Sequence, residues 1–226
     1  IGTYLRQLLP RVIDGAPDGV EFEIIGGEAA ERAPWAADPR VTVTRSTAAP
    51  YSIAEQVEGW SRRKRGNLYW SPHYNIPLLR GRGRMLVTVH DLAHLALPEF
   101  ARAPHRRAYA RMMFRRVRAA SARIFDSHFT ADEYARLVGA PRAGDEVIHP
   151  GVAESWFTIE KGAAPHPRPY LLFVGNVKPH KNLRGLLEAY RLLEEDIGQD
   201  LVIVGRRDGF IHGDREVVRQ AEPFGG

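Results

Sequence analysis

The stretch Tyr170-Leu-Leu-Phe-Val-Gly-Asn-Val-Lys-Pro-His-Lys-Asn-Leu183 decides the fold. An apolar run ends at Gly175, a short loop holds Lys178, His180 and Lys181, and Asn182 stands where a helix cap belongs. Beyond it Leu183, Leu186, Leu187, Tyr190 and Leu193 recur at helical spacing, which gives that helix one apolar face. A second apolar run, Leu201–Val204, follows and ends at Gly205-Arg206-Arg207. Strand, helix, strand in this order is a βαβ unit, so the two strands are expected to be parallel. Both basic loops then leave the same carboxyl edge of the sheet, where open α/β sheets bind their ligands. A helix N-terminus offers free N–H donors and the positive end of a dipole, and neighbouring lysines strengthen its pull on phosphate. The spacing is not that of a Walker A loop, which argues against a P-loop hydrolase. On the residues alone, two readings stand side by side: a phosphate site, or an ordinary βα turn with solvated lysines.

Upstream, the same rhythm repeats. Leu5, Leu8, Leu9 and Val12 have helical spacing, although Pro10 is expected to kink or end that helix. Phe22–Ile25 and Val41–Thr44 read as strands, Ser52–Arg65 as a helix with Ile53, Val57 and Trp60 on one face, and Leu68–Trp70 and Met85–Val89 as strands. A long helix is predicted over Pro104–Ala120 and a strand over Ala122–Phe125. Thr130-Ala-Asp-Glu133 reads as a capping box for a helix that Gly139 stops, and Val147-Ile148 as a brief strand. The fold class is therefore α/β with parallel sheets. Its expected division is a first Rossmann-like domain over 1–157, a linker over 158–169 and the start of a second domain over 170–226. Pro165, Pro167 and Pro169 make the linker stiff and aperiodic. The second domain reads as unfinished, and the first as lacking a strand ahead of Ile1.

Composition bounds the function. Without cysteine, neither a disulfide framework nor a thiolate metal site is available. No apolar run approaches the ~20 residues that span a bilayer, and nothing reads as a signal peptide, so a soluble, cytoplasmic protein is expected. A net charge of +5 points to an anionic partner. The excess is concentrated at Arg102, Arg106, Arg107, Arg111, Arg115, Arg116 and Arg118, with no acid between Ala101 and Ser121, and again at Arg62-Arg63-Lys64-Arg65.

Phe173-Val-Gly-Asn-Val-Lys-Pro-His-Lys-Asn-Leu183 resembles the opening of the donor domain in the family-4 retaining glycosyltransferases of the GT-B fold (group 1 glycosyl transferases). Val87-Thr-Val-His-Asp-Leu92 with Pro98-Glu99 is similar to that family's HDL…PE segment. Ser127–Glu133 and His149-Pro-Gly-Val152 look like its later acceptor-domain elements, and Ile1-Gly2-Thr3-Tyr4 like the tail of its glycine-rich turn. The resemblance implies two Rossmann-like domains across a cleft and metal-independent, retaining transfer of a hexosyl group from a nucleoside diphosphate sugar to an acceptor hydroxyl. It implies a mannosyltransferase-like enzyme of surface polysaccharide or glycolipid assembly, with GDP-mannose as the donor and no cofactor. It places Lys181 and Arg206 on the donor diphosphate, with Gly2 beside the donor and Asn176 where many members carry arginine. A paired-glutamate motif is expected beyond Gly226.

His90 ends its strand facing the ligand edge. Its residues alone suggest a packed histidine satisfied by backbone; the resemblance implies contact with the transferred sugar. Asp91 is placed to orient the imidazole or to hold an acceptor hydroxyl, and His73, Tyr74 and Asn75 to line the acceptor site or a surface loop. His90, Asp91 and His94 have poor spacing for zinc. The helix carrying Arg106, Arg107, Arg111 and Arg115 packs through Tyr109, Met112, Met113 and Val117. Its arginines read as a solvated face, or as a docking surface for anionic membrane or a lipid diphosphate acceptor. A non-catalytic polyanion-binding α/β protein is the competing function. A nucleic-acid groove lacks its interleaved aromatics.

Overall fold

The computed structural model describes residues 1–49, 51–62, 67–79, 81–97, 104–160, 162–175 and 181–205. The chain divides after Phe157 into two units, Ile1–Phe157 and Thr158–Gly226.

The first unit opens with helix α1 (Gly2–Asp14), which continues through Pro10. Proline removes one helical hydrogen bond and crowds the preceding turn, and here the Arg11 side chain donates to the Gln7 carbonyl at 2.6 Å beside the break. Ile13, rather than Val12, closes the helix's buried face. Strands β1 (Phe22–Gly26) and β2 (Val41–Arg45) pair in parallel, with Phe22 opposite Val41, joined by a short helix α2 (Glu28–Glu31) and a 3-10 turn at Pro34–Ala37. Helix α3 (Ile53–Ser61) follows, capped by Ser52, whose Oγ accepts the Glu55 N–H at 3.1 Å. Ile53, Val57 and Trp60 share a face of α3 as expected, but that face is exposed; the helix packs instead at Gly59, the buried residue lying against Pro77 and Tyr69.

Strands β3 (Leu68–Ser71), β4 (Arg84–Val89), β5 (Ala122–Phe125) and β6 (Glu146–Val147) form a four-stranded parallel sheet in chain order. Met85, Val87, Thr88 and Val89 are all buried, as befits a central strand covered on both faces. A short α4 (Ala93–Ala96) precedes α5 (Pro104–Val117), which packs through Ala110, Met113, Phe114 and Val117. Met112, expected on that face, is exposed, and the face is carried instead by Phe114, one turn after Ala110. Helix α6 (His128–Leu137) is capped by Ser127, not opened at Thr130: Ser127 Oγ accepts the Thr130 N–H at 3.1 Å. The hydroxyl nearest the end of β5 captures the free N–H, which puts Thr130 inside the first turn.

The second unit begins at Thr158, the last residue of the short α7 (Ser155–Thr158). Strands β7 (Tyr170–Val174) and β8 (Asp200–Val204) are parallel, and α8 (Leu183–Leu193) covers them through Leu183, Leu187 and Tyr190. Leu193 is exposed. The proline-rich segment is tied to β8, with His166 Nε2 2.6 Å from Asp200 Oδ2 and Arg168 Nε donating to the same oxygen at 2.9 Å. A Cβ on Gly205 would stand 2.3 Å from the Gly175 carbonyl oxygen, so the ends of β7 and β8 meet at a point that only glycine allows. The expected helix from Arg215 lies outside the described residues.

Candidate active site

Four carboxyl-edge elements of the first unit converge on His90. The residue directly follows β4; its Nε2 lies 3.0 Å from the Pro72 carbonyl after β3, and its Nδ1 lies 3.4 Å from Asp126 Oδ2 after β5. The Tyr4 ring of α1 meets the imidazole edge-on at 5.1 Å. Thr130 ties the group together, donating from Oγ1 toward Asp126 Oδ1 at 2.9 Å and lying 3.2 Å from the His90 carbonyl. Both nitrogens of the imidazole thus face acceptors, and the ring is oriented from two sides. Burial, the largest influence, raises the pKa of the Tyr4 phenol, keeping it protonated beside the ring.

Asp91 does not orient the imidazole. Its Oδ1 accepts the Ala93 N–H at 3.0 Å and holds the turn into α4. The carboxylate facing His90 is Asp126, which sequence reading passed over; the signal was its place between the apolar run Ala122–Phe125 and the cap Ser127, the same strand-end position that drew attention to His90. Gly2 is exposed in the first turn of α1, with open space where a side chain would be.

His73 and Asn75 line a pocket of about 320 Å³ at the carboxyl ends of β1, β2 and β3, together with Ser46, Glu55, Glu58 and Ser71. Tyr74 turns the other way: it is buried in the core, its ring stacked on Phe114 at 4.9 Å, and burial raises its pKa. Asn75 is fixed by three side chains. Its Nδ2 donates to Glu55 Oε2 at 2.8 Å, while its Oδ1 accepts the Tyr109 hydroxyl and lies 3.5 Å from Gln56 Nε2. Glu55 also accepts the N–H of Tyr51, a residue held at φ 65°. That φ belongs to the left-handed region, which costs a bulky residue energy, and the charge-assisted bond to Glu55 offsets it. Ser46 Oγ donates to Glu58 Oε2 at 2.5 Å. Burial first, and then the nearby His90, lower the His73 pKa from 6.5 to about 4. The ring is therefore neutral at pH 7, and because Nδ1 accepts the Asn75 N–H at 3.2 Å, its proton resides on Nε2. Neither glutamate was singled out from sequence; the usable signal for Glu55 was Ser52-x-x-Glu55, a capping-box spacing.

In the second unit Lys181 is exposed immediately ahead of α8. Asn182 occupies the N-cap position but makes no side-chain cap bond; it adopts φ 50°, and its amide lies over Gly185, within 2.7 Å of where a Cβ there would be. The first-turn N–H groups of α8 are therefore not capped by this side chain. Asn176 and Arg206, the other expected donor contacts, lie outside the described residues, as do Pro98 and Glu99. Among the described residues no group of three or more His, Cys, Asp or Glu side chains is arranged to hold a metal ion. No described helix is long and apolar enough to cross a membrane.

The chain is 25% identical over 183 residues to the O-antigen chain mannosyltransferase B of Escherichia coli, an alignment covering 68% of this chain and 47% of that protein. The chain thus spans about half the length of the curated relative it matches. Residues 154–221, the span that contains β7, Lys181, α8 and β8, match the family model of the group 1 glycosyl transferases.

Proposed function

We propose that the protein transfers a hexosyl group, with mannose as the leading candidate, from a nucleoside diphosphate sugar to an acceptor hydroxyl in surface polysaccharide or glycolipid assembly. The observation carrying this reading is the match of residues 154–221 to the group 1 glycosyl transferases, centred on a basic turn at the start of α8. The mannosyl assignment, and GDP-mannose as donor, draw on the 25% identity to the O-antigen chain mannosyltransferase B. As the sugar departs, negative charge grows on the diphosphate, and a preorganised helix end with adjacent cations stabilises it. Lys181 and Arg206 take that role, with Asn176 and Gly2 close to the donor. His90 works at the sugar, held by Asp126, and the pocket at His73 and Asn75 receives the acceptor. Following the family resemblance, transfer retains the anomeric configuration and needs no metal, so it should persist in EDTA.

Arg106, Arg111 and Arg115 are exposed on α5, with Arg107 half-buried beside them. This face suits an anionic membrane on which a lipid-linked acceptor is presented, and it supports the reading of a peripheral enzyme on the inner surface of the membrane. The full-length protein should be incubated with a panel of nucleoside diphosphate sugars while nucleoside diphosphate release is measured. Absence of release with every donor, together with absence of any thermal shift on nucleotide addition, would leave the polyanion-binding alternative in its place.

A further inference from the structure

Three arginines of α5 stand on one stripe of the helix. Arg107, Arg111 and Arg115 follow at i, i+4 and i+8, each about 6 Å further along the axis. The stripe flanks the buried face formed by Ala110, Met113, Phe114 and Val117. Like charges at this spacing repel one another, and no acid lies between Ala101 and Ser121 to offset them. None of the three side chains forms an ion pair or a hydrogen bond among the described residues. Arg111 and Arg115 are exposed, so water meets their donors. Arg107 differs. It is half-buried, and its Nε is closed to solvent without a hydrogen-bond partner. A buried donor left unpaired costs free energy that an exposed one recovers from water. The group that this stripe lacks is therefore an anionic acceptor with several oxygens, which takes Nε–H and Nη–H together once the guanidinium turns outward.

We propose that Arg107 and Arg111 grip the terminal phosphate of a membrane lipid, while Arg115 contributes charge alone. The inference rests on the membrane reading of α5 and narrows it, from negative surface charge in general to one headgroup chemistry. A phosphomonoester presents three free oxygens and up to two charges, enough to meet two guanidinium groups one turn apart. A phosphodiester headgroup has two free oxygens and a single charge, which one guanidinium fork already occupies. Lysine in either place would keep the charge but lose the planar fork that takes two oxygens at once. Arg106, about 100° around the helix from Arg107, stands off the stripe and takes no part.

Co-sedimentation of the full-length protein with phosphatidylcholine vesicles tests this, the vesicles carrying either phosphatidic acid or phosphatidylglycerol at matched surface potential. The phosphomonoester lipid should bind about fivefold more tightly or better, since two charged forks engage it instead of one. Arg107→Lys and Arg111→Lys, which keep the charge, should each bring that ratio below about twofold, and Arg106→Lys should leave it unchanged. Thermal unfolding is followed for each variant, and Arg111→Lys, at an exposed position, decides the matter if Arg107→Lys fails to fold. Equal binding of the two lipids would overturn the inference and leave α5 a general basic face. So would an unchanged ratio in Arg111→Lys, or soluble glycerol 3-phosphate competing as strongly as the lipid, which would make free phosphate the ligand. Nucleoside diphosphate release by the wild-type protein is measured separately. Turnover without lipid preference sinks this inference and spares the transferase reading; preference without turnover does the reverse.

Discussion

The guanidinium of Arg123 and the carboxylate of Asp145 form a salt bridge with side chains only 1% and 2% exposed. Arg123 Nε donates to Asp145 Oδ2 at 2.9 Å, while Nη2, 2.8 Å from the same oxygen, is off the hydrogen-bonding angle; Nη1 donates to the Val117 and Arg118 carbonyls. Oδ1 accepts the Arg123 N–H and Oδ2 the Arg142 N–H, so the pair together joins β5, the end of α5 through the guanidinium, and the turn into β6 through the carboxylate. Removing one member of a buried pair strands the other charge, at a cost of about 3–5 kcal/mol. Asp145→Ala should lower the urea-unfolding free energy by that amount. A loss under about 1 kcal/mol, the ceiling for a typical surface pair, would show that the pair does not hold this edge together.

Lys181→Ala should weaken nucleoside diphosphate binding by about 1.5–3 kcal/mol, the range for a hydrogen bond to a charged group. Calorimetry with the donor's nucleotide measures it directly. Equal affinities in variant and wild type would take Lys181 off the diphosphate.

His90→Ala should lower kcat while nucleoside diphosphate affinity stays near wild type, because an interaction realised in the transition state is lost. Asp126→Asn keeps the shape and removes the charge opposite Nδ1. Misplacing a reacting group by about 1 Å can cost roughly 10²-fold, and a loss of that order in kcat with little change in donor KM is expected. Normal turnover by both variants would make this histidine a packing residue.

His73 carries a pH signature. Its pKa of about 4 in the fold, against 6.5 ordinarily, means the unfolded chain binds more protons between those values. Stability should therefore fall as pH drops from about 6.5 through about 4, and level off with respect to this group above and below that window. His73→Gln should flatten the corresponding part of the stability–pH curve. An unchanged slope would place the responsible group elsewhere.

Liposome co-sedimentation should rise with the anionic lipid fraction and fall with salt, since attraction can reach ~1 kcal/mol per basic residue and is screened over ~8 Å at physiological ionic strength. Replacing Arg106, Arg111 and Arg115 with Gln should abolish the dependence. Equal sedimentation with neutral and anionic vesicles would leave α5 a solvated face.

The strands were legible because Met85–Val89, Ala122–Phe125, Tyr170–Val174 and Leu201–Val204 are short apolar runs between punctuating residues, a signal local to each run. The parallel pairing followed from their alternation with helices. Errors arose where one residue's state depends on a distant neighbour. Tyr74 resembles its pocket-lining neighbours in sequence, yet Phe114 draws its ring into the core. Asn182 has cap chemistry, but its left-handed backbone directs the amide over Gly185. Asp126 gained meaning only when β4 and β5 were in register, with Val89 opposite Phe125, which brings the residues after them side by side. Glu55 and Glu58 likewise carry no local signal of a site; it is β3 that brings His73 and Asn75 to the pocket they line.

The order β3-β4-β5-β6 has a consequence for synthesis on the ribosome. Each strand pairs with its immediate predecessor, so every new strand emerges to find its partner already made. At about 5–20 residues per second, the span from Leu68 to Val147 takes on the order of ten seconds to appear. Through that interval the growing sheet exposes a single advancing edge, and the buried Arg123 waits for Asp145, whose arrival with β6 completes the carboxylate side of the pair as the last strand docks.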